Sequence, residues 1–146
     1  MFGKASQNRN NRRRRGNALL DAALVLPILL SLTFGTVEYG YFFFVKHSMQ
    51  GAAREGCRVG ILPTSDNTQV RNAIAASLYA AGLNSSQTAL DGKFTLTTTP
   101  SNLSGVAAGT SVTVQVDSTW GSIGVRPLGL IGTAKVVRGV TVMRRE

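Results

Sequence analysis

The sequence predicts an α+β fold, in which a long N-terminal transmembrane helix continues into a small head with a second short helix and a three-stranded antiparallel sheet. Three observations carry this expectation. Between Asp21 and Lys46 lie 24 mostly apolar residues interrupted by one acid, Glu38. Beyond them, small and apolar residues recur at helical spacing as far as Pro63. Further on, Val112, Val114 and Val116 alternate with Thr113, Gln115 and Asp117, the period-two pattern of a half-buried strand.

The apolar run is the longest element. As an α-helix, 24 residues measure about 36 Å at ~1.5 Å per residue, enough to cross a hydrocarbon core of roughly 30 Å with some tilt. A core helix of a soluble protein would need more surrounding chain than the remaining hundred or so residues supply. A cleaved secretory signal is too short to match the run, and Phe42 to Lys46 intervene before the small residues Gly51 and Ala52. Pro27, inside the run, removes one backbone donor and leaves the carbonyl of Ala23 without its helical partner.

The formal charge of +9 is concentrated at the N-terminus. Residues 1–16 hold Lys4, Arg9, Arg12, Arg13, Arg14 and Arg15 with no acid, leaving ten basic against seven acidic residues for the rest. Their polar, apolar-poor composition predicts a disordered leader. Arg12, Arg13, Arg14 and Arg15 abut the span, so the positive-inside tendency places the N-terminus in the cytoplasm and translocates the C-terminal part. Topology explains the basic arm, which has no interleaved aromatics, and no nucleic-acid partner is expected. The domain plan is therefore a basic cytoplasmic leader at 1–16, a transmembrane helix at 17–46 and an extracytoplasmic α+β domain at 47–146, whose residues 47–62 prolong the helix.

In that prolongation Met49, Ala53, Gly56, Cys57, Gly60 and Ile61 share one face, while Arg54, Glu55 and Arg58 lie on the other. Small residues on the buried stripe let a sheet approach closely. Cys57, the only cysteine, reads as a small core residue and precludes an intrachain disulfide. Pro63 ends the helix, and Ser65, Asp66 or Asn67 caps a second one carrying Val70, Ile74, Leu78 and Ala81 on one face and stopping near Gly82. Strands are expected at Phe94–Thr99, Ser111–Trp120 and Val136–Met143. The 15-residue connection Gly121–Lys135 is long for a small domain and suits a contact loop.

Two acids stand out. Asp21, at the start of the span, is favourable beside the positive end of a helix. Glu38 lies among Val37, Tyr39 and Tyr41 near the outer end, where an acid is either a functional group or a side chain reaching interfacial water.

Gly16 follows the arginines and precedes Asn17 and the apolar run, with an acid five residues on at Asp21. This arrangement resembles the processing site of type IV prepilins, where a membrane aspartyl peptidase cuts after the glycine. The ordered set from Gly16 to Pro63 resembles the TadE-like family: the acid near the helix start, Leu26-Pro27, Phe34-Gly35, Glu38-Tyr39-Gly40 and Ala52-Ala53-Arg54-Glu55-Gly56. Asp21 stands where that family more often has Glu, and Cys57 where a small residue is usual. The resemblance implies a minor pseudopilin of tight-adherence, Flp-type pilus assembly in the bacterial inner membrane, with a pilin-like head in the periplasm. It implies prepilin peptidase cleavage at Gly16-Asn17. After cleavage Asp21 would pair with the new amino group of Asn17 and, with Pro27 and Glu38, serve assembly and helix contacts. Other pilins or pseudopilins and the inner-membrane Tad assembly machinery are the implied partners. The competing expectation is an uncleaved single-pass adaptor or sensor.

Catalysis has little basis. One His, one Cys and seven scattered acids form no metal-ligand pattern, nucleophile motif or phosphate-binding loop. The expectation is a non-enzyme with no cofactor, metal or small-molecule substrate.

Overall fold

Helix α1 runs from Ala5 to Gly60 in the computed structural model, which describes residues 5–145, with side chains for residues 19–145. It takes in residues 5–16, where composition predicted no structure. That segment has no proline or glycine before Gly16 and joins a helix already nucleated, so each added residue gains a hydrogen bond without a new nucleus. The chain divides into two compact units, Met1–Val37 and Glu38–Glu146.

In the first unit α1 is apolar around its circumference. Leu19, Leu24, Leu26, Ile28, Leu29 and Leu32 are all exposed, and none of its most apolar 18-residue window is buried. A core helix of a soluble protein would cover such a face, so this one fits a single-pass membrane anchor. The hydroxyls of Thr33 and Thr36 donate to the carbonyls of Leu29 at 2.8 Å and Leu32 at 2.9 Å. Both polar groups are thereby satisfied within the helix, as an apolar medium requires. Pro27 stands inside α1, exposed like its neighbours.

The second unit packs the last part of α1 and a second helix, α2 (Asn67–Ala80), on one face of a sheet. The sheet has strands β1 (Thr95–Thr99), β2 (Ser111–Thr119) and β3 (Val136–Arg144) in the antiparallel order β1-β2-β3. Register is pinned by the burial of Val112, Val114 and Val116, since a one-residue slip would turn all three outwards. The α+β class and the three-stranded antiparallel sheet match the expectation. A single-turn helix, α3 (Trp120–Ile123), follows β2, taking Trp120 from the end of the expected strand and the next three residues from the expected connection.

The helix ends have local causes. Asp66 caps α2, accepting from the Gln69 amide at 2.7 Å while Gln69 Oε1 accepts from the Asp66 amide at 3.3 Å, a reciprocal capping box. Gly82 takes φ +72° just past α2, a conformation that favours glycine. Helix α1 stops at Gly60, two residues before the expected Leu62. Pro63 disfavours helical backbone at Leu62, and the Ser65 hydroxyl donates to the Gly60 and Leu62 carbonyls at 3.0 and 2.8 Å.

Small residues set the spacing between α1 and the other elements. A Cβ at Gly56 would meet Ile74 Cγ1 at 2.6 Å and Val114 Cγ1 at 3.5 Å; one at Gly60 would meet Val70 Cγ2 at 3.3 Å. At β3 the approach is backbone to backbone, because a Cβ at Gly139 would fall on the Met49 carbonyl. Next to it the Gln50 side chain forks onto Val140, donating to its carbonyl at 2.6 Å and accepting from its amide at 3.2 Å. An edge strand that would otherwise present free backbone groups is thus closed by the helix at this point.

Candidate functional site

The polar feature of the second unit least expected from its neighbours is Glu38, which is fully buried. Its position follows from helical spacing: Glu38, Tyr41, Phe42, Val45, Met49 and Ala52 turn towards the head, while Tyr39, Phe43 and Phe44 are exposed. One carboxylate oxygen accepts the Ile131 amide at 2.8 Å and the other the Leu128 amide at 3.2 Å. Both donors belong to the connection between β2 and β3. A carboxylate that would be costly to bury alone is stabilised by two backbone donors, and those donors gain an acceptor.

The connection has its own framework. At its base the Trp120 amide donates to the Lys135 carbonyl at 2.7 Å and the Gly121 amide to that of Thr133 at 2.9 Å. Its tip turns at Gly129, where φ is +67°. Trp120 is buried against Phe42 and Tyr41, with ring centroids 5.3 and 5.9 Å away. Gly124 lies so close to the indole that a Cβ there would stand 2.5 Å from the ring. The indole Nε1 has no hydrogen-bond partner among the described residues.

Of the helix-face residues, Met49, Ala53, Gly56, Cys57 and Gly60 are buried and Ile61 is half-buried, with Val45 and Ala52 adding to the same surface. The Cys57 thiol lies 3.3 Å from the Val112 carbonyl, to which it donates, and burial pushes its pKa up. On the opposite face the Arg58 guanidinium bonds Glu55 and holds that carboxyl below its usual range. Asp21 is exposed on the first unit's helix. Its expected partner at Asn17, with Gly16 and Arg12 to Arg15, lies outside the described side chains.

Three contributors escaped sequence reasoning. Gln50 and Gly139 act through one close crossing of helix and strand. Arg145, buried near the C-terminus, donates to the Leu103 carbonyl at 2.6 Å and the Pro63 carbonyl at 2.7 Å, tying down the exit of α1. An apolar strand end with a terminal arginine carries no local signal of such a role. Among the described residues no group of three or more His, Cys, Asp or Glu is placed to hold a metal ion.

Residues 16–58 match the family model described as TadE-like protein. This TadE-like segment begins at Gly16, contains Asp21, Pro27 and Glu38, and ends within the stretch of α1 that faces the sheet. It agrees with the family that the residue pattern resembles and suggests a role in Tad pilus assembly. The strands and α2 lie beyond it. No curated protein and no solved structure matches the chain.

Proposed function

We propose that the protein is a minor pseudopilin of the tight-adherence, Flp-type system, anchored by one membrane helix and assembled with other pilins or pseudopilins through the inner-membrane Tad machinery. The observation that carries this reading is the TadE-like segment, which starts at Gly16, immediately after four arginines and before an apolar helix. The arginines hold the leader at the cytoplasmic face. Glycine at the scissile position lets an extended backbone enter the peptidase cleft without side-chain obstruction.

Cleavage creates an amino group on Asn17, one helical turn before Asp21. Their pairing, within a subunit or between neighbours, gives the acid a partner at the membrane boundary and sets axial register. The apolar surface of the first unit's helix then has two environments, lipid before assembly and neighbouring helices after it. Periplasmic exposure of the head follows from the same charge asymmetry.

The test is the mass of the chain purified from membranes of cells that contain a prepilin peptidase. A mature chain beginning at Asn17, with Gly16→Ala accumulating at full length, is the expected result. A wild-type chain retaining residues 1–16 would replace the pseudopilin with an uncleaved membrane-anchored adaptor or sensor.

A further inference from the structure

The burial of Glu38 shortens the part of α1 that lies outside the head. Between Asp21 and Glu38 there are 16 residues, about 24 Å of helix at ~1.5 Å per residue, against a hydrocarbon core of roughly 30 Å. With Asp21 at one boundary, the other falls about one turn beyond Glu38. A span begun as early as Ala18 still reaches only to Val37. In either register the helical turn that carries Glu38 stands at the membrane boundary, and the segment hydrogen-bonded to Glu38 stands there with it.

That segment has the composition of a membrane contact. Val125, Leu128 and Leu130 are exposed, Leu130 by 55%, and no acid occurs between Gly121 and Lys135. On the helix beside it Tyr39, Phe43 and Phe44 are exposed as well. A groove lined by Tyr39, Phe42, Lys46, Ile131 and Lys135 adjoins the loop. Lys46, Arg126 and Lys135 enter no ion pair among the described residues. Apolar tips with cations on long stems behind them are the pattern of a surface seated in the interfacial layer of a bilayer, with the ammonium and guanidinium groups at phosphate level.

We propose that the β2–β3 loop is a second membrane contact: Glu38 holds it at the boundary, Val125, Leu128 and Leu130 enter the interfacial layer, and Lys46, Arg126 and Lys135 meet lipid phosphates. The inference rests on α1 as a membrane span and is independent of the role in pilus assembly. It gives the buried carboxylate a purpose, since the tether keeps the loop beside the turn of α1 that carries Glu38.

The test uses the full chain with Cys57→Ala and single substitutions Leu128→Cys, Leu130→Cys or, as an exposed control, Gln87→Cys. Each is labelled with an environment-sensitive nitrobenzoxadiazole dye and placed, one copy per nanodisc, in phosphatidylcholine and phosphatidylglycerol. Labels at 128 and 130 are expected to emit to the blue of the label at 87. Doxyl groups on the lipid should quench them more than aqueous iodide does, with the order reversed at 87. Aqueous behaviour at 128 and 130 would overturn the inference. So would a blue shift that appears only with several copies per disc, which would make a second copy of the chain the occupant. A second measurement needs no substitution: a photoactivatable phospholipid should label residues 124–131 of the wild-type chain, and labelling confined to α1 would overturn the inference. Alkaline extraction of the same membranes separates the two layers of reasoning. A chain that is extracted overturns the span itself and the loop contact with it, whereas a retained chain with aqueous labels overturns the loop contact alone.

Discussion

Replacing Glu38 tests the link between the helix and the loop. Its carboxylate accepts two backbone amides, from Ile131 and Leu128. A hydrogen bond to a charged group contributes about 1.5 to 3 kcal/mol, and an unsatisfied buried donor costs about 1 to 3 kcal/mol. Glu38→Leu keeps the volume and removes both acceptors, a gross loss of about 3 kcal/mol even at the low end. Relief of the carboxylate's own desolvation offsets part of this, so the global unfolding free energy should fall by about 2 kcal/mol. The local effect has no such offset. Both amides lose their acceptor, so hydrogen exchange at Leu128 and Ile131 should accelerate well beyond the change at β2 amides. Glu38→Gln retains one acceptor oxygen and points its NH2 group at the other donor, so it should deprotect one amide more than the other and lie between wild type and Leu in stability. Trp120, the only tryptophan and in contact with Phe42, reports global unfolding in detergent by fluorescence. Wild-type exchange rates at Leu128 and Ile131 in Glu38→Leu would refute the tether.

Two glycines on the packing surface should respond differently to the same methyl group. At Gly139 a Cβ meets the backbone of Met49 and Gln50, which cannot yield without moving α1, so Gly139→Ala should cost about 1 to 3 kcal/mol or more in urea unfolding. At Gly56 it meets the side chain of Ile74, and roughly 1 kcal/mol of helix propensity gained over glycine offsets the crowding, so Gly56→Ala should be near neutral. Arg145→Ala removes both guanidinium bonds to the Leu103 and Pro63 carbonyls and should lower stability by about 2 to 3 kcal/mol; Arg145→Lys, lacking the planar fork, should recover only part of it. Burial raises the Cys57 pKa, so its contribution to stability is full below the unfolded thiol's value of about 8.5 and is lost as pH rises towards the folded one. Urea midpoints between pH 8 and 10 should therefore fall more steeply for wild type than for Cys57→Ala, and thiol reagents should modify Cys57 only on unfolding.

The elements that could be read from the chain are those whose burial repeats locally. The α+β class, the apolar helix and the three strands follow from period and length: Val112, Val114 and Val116 must share a face in any strand, whatever packs on it. The capping box at Asp66 and Gln69 is likewise contained within four residues. From residue 5 onward the leader is continuous with α1, which composition does not signal because it weighs each residue alone, whereas a helix propagates from an existing nucleus.

Tertiary structure decided what each face meets. Glu38 was visible as an anomaly and the 121–135 connection as an unusually long loop, but nothing in either spacing links them across about ninety residues. A backbone amide has no side-chain identity, so Leu128 and Ile131 do not signal that they will donate to a carboxylate. For the same reason Gly139 reads as a weak point in a strand until Met49 is seen against it, and Gln50 as a solvated helix residue until Val140 arrives. Sequence by itself determined an apolar helix long enough to cross a membrane, a TadE-like segment and a small α+β head. Only the fold revealed that Glu38, the one acid within the apolar run between Asp21 and Lys46, holds a loop of that head, because hydrogen-bond partners distant in sequence leave no periodic trace.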